Sequence, residues 1–339
     1  MILTFKVRHG MNLSDHLDRA VEVARFAISH RDKLSSREVS HLGLPSSISN
    51  QILRKYGRNR RCREVKRVVL TVPGQSVRCD QDERMLRIPC LGLSLHYRFR
   101  NDFSKVNQVE LNDEFAFVSV TIEEPDLIDV DGFIGVDMNT TGHSAVVSDP
   151  STGKTHKMGR SESHIRTKYR NIRRKIQESQ RLRNLKRIER RERRRINDLN
   201  HKVSRKIVSI AHESGRGIAM EDLGGIRERV NGKSGRKFRG AVNNWSFSDL
   251  RQKIEYKARL LGIPVVLVNP AYTSQTCSRC GTIGGRKGKE FVCHTCGHVD
   301  HADVNASFNI GMIASGQTGM SGTGALIPRW SNAHAAGAA

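Results

Sequence analysis

Nowhere in the 339 residues is there an apolar run long enough to cross a bilayer. The longest, such as Pro264 to Val268, fall far below the roughly 18 residues that a spanning helix needs. The N-terminal stretch MILTFKVRHG lacks both the apolar core and the small-residue cleavage site of a secretory signal, and carries Lys6 and Arg8 instead. The expected setting is the cell interior, with no membrane partner. Acidic residues are also scarce: 34 Asp and Glu stand against 58 Lys and Arg, a formal net charge of +24. Such an excess of one sign strains a compact state by self-repulsion, and a bound polyphosphate chain relieves that strain, so nucleic acid is the expected partner.

A disulfide framework is missing as well. Of the seven cysteines, Cys62, Cys79 and Cys90 are scattered, whereas Cys277, Cys280, Cys293 and Cys296 form two tight pairs. Cys-x-x-Cys, twelve residues, then Cys-x-x-Cys makes two knuckles, each followed by the glycine (Gly281, Gly297) that a sharp turn requires. Four thiolates suit a closed, tetrahedral, structural Zn²⁺ site with no open position for chemistry. His294, His298 and His301 lie nearby, but the four sulfurs already complete the shell.

What is present divides in two. Residues 1–128 read as strands around a small helical insertion. Ile2 to Val7 alternates like a half-buried strand, and Leu17, Ala20, Val21, Ala24, Ala27 and Ile28 recur at helical spacing with Ser14 placed to cap the first turn. A second short helix follows Ser46 and Ser47. Beyond the basic stretch from Arg54 to Arg67, VKRVVLTV, MLRIPC, LSLHYRF and FAFVSVTIEE return to a period of two, so an antiparallel β module with a helical insert is expected.

From Asp131 strands alternate with helices, which implies an α/β layer: FIGVDM, SAVVS, a long polar helical region, GIAME, an amphipathic helix, then IPVVLVN. Residues 160–206 hold nineteen Lys and Arg against five Asp and Glu and read as two long basic helices. That imbalance leaves few i,i+4 ion pairs, which favours a phosphate-tracking surface over a solvated hairpin. Past Gly311 the chain is rich in Gly, Ala and Ser and reads as a flexible tail, 316–339.

Asp137 closes the strand FIGVD and Glu221 closes IAME. Asp222 competes with Glu221, and because strand neighbours face opposite sides, only one of the two can point at a given site. Asp303, at the start of ADVNASFNI, would serve either as a helix N-cap or as a ligand.

The order GVDMN, basic helical insert, MEDL, NPAYTSQTCSRCG, FVCHTCGH and ADVNASFNI resembles the TnpB family, transposon-encoded relatives of the type V CRISPR effector nucleases. The resemblance covers roughly residues 130–312. It implies an RNase H-like (RuvC) nuclease domain (129–270 and 300–315) with an inserted target nucleic-acid-binding zinc ribbon (271–299). It also implies an N-terminal antiparallel β-barrel wedge domain (1–10 and 62–128) with a helical recognition insert (11–61). The family's catalytic acids fall on Asp137, Glu221 and Asp303, which would hold two Mg²⁺ ions, with Zn²⁺ on the four cysteines. Ala302 stands where a basic residue is frequent and Ser307 where alanine is. The function implied is RNA-guided cleavage of double-stranded DNA beside a short motif, in the cytoplasm or nucleoid of a bacterium or archaeon. The guide would be an RNA from a transposon end or a CRISPR RNA. The rival readings are a guided binder or repressor that does not cut, and a zinc-ribbon DNA-binding accessory of transposition.

Overall fold

The computed structural model describes residues 1–31, 34–139, 142–224 and 247–316, so all but the first residue of the expected tail lies outside the described residues. The chain divides into two compact units, Met1–Glu124 and Pro125–Ala339. No helix among the described residues is long and apolar enough to cross a membrane.

The first unit runs β1 (Ile2–Arg8), α1 (Ser14–Ser29), α2 (Ser46–Gly57), β2 (Leu70–Pro73), β3 (Arg78–Asp80), β4 (Met85–Ile88), β5 (Leu93–His96), β6 (Lys105–Leu111) and β7 (Phe115–Thr121). It holds two antiparallel sheets, of order β1-β7-β6-β2 and β3-β4-β5. The period of two is real on β7, where Ala116, Val118 and Val120 are buried. β6 escapes the pattern because its register shifts between Val106 and Gln108. There Asn107 takes a hydrogen bond with Thr121 Oγ1 at 2.9 Å, so a polar residue sits where alternation would place an apolar one. On α1 the buried stripe is Leu17, Ala20, Val23, Ala24 and Ala27, with Val23 in place of Val21. The Ser14 hydroxyl donates to Asn12 Oδ1 at 2.7 Å and leaves the helix without a side-chain cap.

The second unit runs β8 (Phe133–Met138), β9 (Ala145–Ser148), β10 (Thr155–Met158), α3 (Ser161–Glu178), α4 (Leu185–Ser214), β11 (Gly217–Glu221), α5 (Phe247–Arg259), β12 (Val265–Val268), β13 (Gly285–Lys287), β14 (Glu290–Val292), β15 (Val299–His301) and α6 (Ala302–Ala314). Its main sheet has the order β10-β9-β8-β11-β12. β8, β11 and β12 are parallel, while β9 and β10 fold back antiparallel. β10, a polar edge strand (THKM), carries too little apolar alternation to be read from sequence.

The sheet is covered on both faces, which is why its strands are apolar almost throughout. Ile134, Val136, Met138, Ile218, Met220, Val265 and Leu267 pack with α4 and α5 residues such as Ile207 and Ile254. The opposite face meets α6, with Phe133, Ala219, Val266 and Val268 against Ile310, Ile313 and Ala314. Strand parity then puts Gly135, Asp137 and Glu221 on the α6 face and Asp222 on the other.

Gly135 sets how closely α6 approaches. A Cβ there would lie 1.9 Å from the Ser307 carbonyl oxygen and 2.5 Å from the Gly311 nitrogen. Ser307 also fits this contact: its hydroxyl pairs with Ser148 Oγ at 2.6 Å, satisfying a polar group in the buried helix–sheet seam. Gly135→Ala is therefore expected to push α6 off β8 and to cost about 3 kcal/mol, the upper end for overpacking. Thermal unfolding checks it, and an unchanged Tm would contradict the seam.

Candidate active site and cysteine ribbon

Asp137, next to last on β8, and Glu221, last on β11, lie at the C-terminal ends of two adjacent parallel strands, the place where open α/β sheets bind ligands. Asp303 approaches from the first turn of α6. The cap role is taken by His301, whose Nδ1 accepts from the Asp303 backbone N–H at 3.3 Å, so the Asp303 carboxylate is free for other partners. Asp137, Glu221 and Asp303 all line one pocket of about 270 Å³. Asp222 points elsewhere, accepting from Arg251 at 3.3 Å and from the Gly224 amide at 3.2 Å.

Each acid is held. Asn139 Nδ2 donates to Asp137 Oδ2 at 2.8 Å, and Thr273 Oγ1 donates to Glu221 Oε1 at 2.5 Å. Lys289 Nζ donates to Asp303 Oδ2 at 2.6 Å, with the Arg286 guanidinium 3.8 Å from Oδ1. The cluster is electrostatically costly. Burial, then the neighbouring Glu221 and Asp303 charges, push Asp137 up to about 8. Burial raises Glu221 too, against the lowering effect of its Thr273 bond and of Arg286. Three hard oxygen donors line this one pocket, two of them resisting ionisation, and could hold a hard divalent cation such as Mg²⁺, although among the described residues only the four cysteines bring their ligand atoms within 4.8 Å of one another.

The ribbon follows β12. Cys277, Cys280, Cys293 and Cys296 bring their sulfurs within 4.8 Å of one another, and among the described residues no histidine joins that group. Two knuckles form as Gly281 N donates to Cys277 O at 2.9 Å and Gly297 N to Cys293 O at 3.1 Å, both glycines having positive φ. Soft thiolates at this spacing suit Zn²⁺. β13, β14 and β15 form a small antiparallel sheet, and β15 runs straight into α6. Phe291, fully buried, packs with Cys277, Cys293 and Ala302, so the ribbon's small core includes the first residue of α6. A basic side chain at Ala302 would have no room there.

Two asparagines of α6 complete the junction. Asn305 Oδ1 accepts from the Ser278 amide at 2.9 Å, and its Nδ2 donates to Thr276 O at 2.7 Å. Asn309 Nδ2 donates to Thr273 O at 2.8 Å and to Thr276 O at 2.7 Å. Both are fully buried, so these bonds satisfy groups that water does not reach. They tie α6 to the segment whose Thr273 holds Glu221. Sequence reasoning passed over Asn139, Thr273, Lys289, Asn305 and Asn309. For the asparagines a signal existed: two amides four residues apart in a helix whose other residues are mostly apolar are buried polar groups in need of partners.

The fold and site define a multi-domain α/β protein with a buried acid cluster braced by a four-cysteine ribbon. Residues 247–310 match the Cas12f1-like TNB domain family, a span from α5 through the ribbon into α6. Over 115 residues the chain is 47% identical to the CRISPR-associated endodeoxyribonuclease Cas12f1 of Sulfoacidibacillus thermotolerans, covering 33% of this chain and 25% of that protein. Over 121 residues it is 43% identical to a TnpB-like protein of Methanocaldococcus jannaschii, covering 35% of this chain and 43% of that one. The matched stretches thus span less than half of these relatives. In fold, the chain is similar to Cas12f1 in the cryo-EM structure of the Cas12f1–sgRNA–target DNA complex, with TM-score 0.57, 14% identity, and 87% of this chain and 81% of that chain covered. The matched stretches are thus similar to Cas12f1 and to TnpB-like proteins, and the fold is similar to that of Cas12f1.

The raised Asp137 pKa fixes a sign. Between its ordinary value of 3.8 and about 8 the folded state binds more protons than the unfolded state, so this group's contribution to stability falls as pH rises. Without divalent metal, Asp137→Asn is expected to raise Tm, with a gain growing from pH 5 to pH 8 to on the order of 2 kcal/mol. Unfolding scans of both proteins in chelator-free, Mg²⁺-free buffer check it. A gain independent of pH would contradict the buried cluster.

Proposed function

We propose that this protein is an RNA-guided DNA endonuclease that cleaves double-stranded DNA beside a short adjacent motif. The Pro125–Ala339 unit would be the RNase H-like (RuvC) nuclease with the zinc ribbon inserted, and the first unit the wedge barrel with its helical recognition insert. The observation that carries the reading is the convergence of Asp137, Glu221 and Asp303 on one pocket beside the four-cysteine cluster. A binder that did not cut would gain nothing from three carboxylates gathered on one pocket, two of them with burial opposing their charge.

Asp137, Glu221 and Asp303 would hold two Mg²⁺ ions, which when bound supply charge stabilisation on the phosphate and an activated water. The chain's own groups do the positioning. Asn139 orients the Asp137 carboxylate and Thr273 that of Glu221, so both enter the reaction in fixed rotamers. Asp303 sits at the N-terminal end of α6, where the helix dipole favours negative charge. Zinc on the ribbon would keep β15, and with it Asp303, in register.

Guide and heteroduplex phosphates have a candidate surface in α3 and α4. Their ion pairs are Arg166–Glu162, Arg173–Glu192, Arg174–Glu178 and Lys202–Asp198, so most of the nineteen cations at 160–206 have no carboxylate partner among the described residues. The guide RNA, from a transposon end or a CRISPR array, would supply sequence choice by base pairing while the protein holds backbone.

Asp137→Ala, Glu221→Ala and Asp303→Ala are each expected to lower Mg²⁺-dependent cutting at least about 1,000-fold with nucleic-acid affinity retained. Cleavage and filter-binding assays on matched protein decide it, and a variant cutting at the wild-type rate would refute the assignment. Affinity for nucleic acid should also fall roughly 1,000-fold or more between 50 and 200 mM salt. A flat response would rule out the basic helices as the phosphate surface.

A further inference from the structure

The acid cluster contains a cation supplied by the ribbon itself. Lys289 lies at the tip of the β13–β14 hairpin, after Gly288, whose φ of +63° makes the turn. Its ammonium donates to Asp303 Oδ2 at 2.6 Å and to Asn139 Oδ1 at 3.1 Å, and that same Asn139 donates to Asp137. One ammonium therefore pairs with Asp303 directly and reaches Asp137 through Asn139, taking up a carboxylate oxygen that a divalent ion would otherwise compete for. The two ends of the residue are held differently. Its carbonyl oxygen accepts the Ala302 amide at 2.9 Å, which pins the backbone to the start of α6. Its side chain remains 37% exposed at the rim, whereas Asp303 is 3% exposed. The ammonium can thus leave while the ribbon stays in place.

We infer that Lys289 is a tethered cation that neutralises the acid pocket until a divalent ion displaces it, after which it stands at the rim as a positioning residue for the substrate phosphate. The inference rests on the reading of the three acids as a metal site. The physical basis is competition: three carboxylates brought together in a buried pocket need positive charge, and a lysine is a compact point charge on a flexible stem that can switch partners. Arg286, 3.8 Å from Asp303 and also half-exposed, adds to the field without forming a close bond. Metal binding must then break the Lys289–Asp303 pair, so the apparent affinity is the intrinsic affinity multiplied by the fraction of molecules in which the pair is open.

The test is Mn²⁺ titration by calorimetry on the zinc-loaded full chain, alongside single-turnover cleavage. Lys289→Met is expected to bind Mn²⁺ about tenfold more tightly yet to cut more slowly at saturating metal, while Lys289→Arg keeps near wild-type affinity. A merely structural lysine would change Tm without tightening metal. Lys289→Gln, polar and similar in length, provides a second neutral variant if the methionine form folds poorly. Unchanged or weaker Mn²⁺ affinity in the neutral variants, with binding still sensitive to Asp303→Asn, would overturn this inference alone. Mn²⁺ binding insensitive to Asp303→Asn, or absent from the wild type, would overturn the metal-site reading together with it.

Discussion

The seam between α6 and β8 is the contact on which the second unit depends. Gly135 lets the backbone of α6 settle on the strand, and from that distance Asp303 reaches the pocket that Asp137 and Glu221 enter from below. Nothing in this arrangement is local in sequence: Asp137 and Asp303 are joined only through the sheet, the ribbon and the helix. A methyl group at Gly135 would press directly on the α6 backbone that carries Asp303.

The ribbon acts as a brace for the same seam. Its core shares Ala302 with α6, its hairpin tip accepts the Ala302 amide, and its approach segment is stitched to Asn305 and Asn309. The matched family model, from α5 into α6, contains the ribbon and most of α6. The bracing also meets an electrostatic need. Burial works against the charge of Asp137 and Glu221, and positive groups, Lys289 and Arg286, come from the ribbon that also fixes the geometry.

Legibility in the sequence followed the physics of each element. The cysteine knuckles and the strands β8, β11 and β12 were plain, because ligand spacing and unbroken apolar runs are strong local signals. The two basic helices were equally plain from composition. Less was visible where partners are distant: that Glu221 and not Asp222 enters the pocket follows from parity only once the α6 face is known. Asn139, Thr273 and Lys289 are ordinary polar residues until the fold brings them to the acids. In the first unit, β6 is hidden by the shift at Asn107, and the buried α1 stripe runs through Val23 in place of Val21. Of the two roles open to Asp303 in the sequence, the cap belongs to His301, two residues earlier.

The central claim, that the acid cluster cuts DNA chosen by a bound RNA, is tested most directly by the RNA that co-purifies with the chain. Sequencing that RNA and offering its complement as double-stranded DNA with Mg²⁺ joins guide and chemistry in one measurement. The account predicts a discrete RNA species and cleavage confined to DNA that matches it. Absence of a discrete RNA, or cutting indifferent to the match, would contradict it.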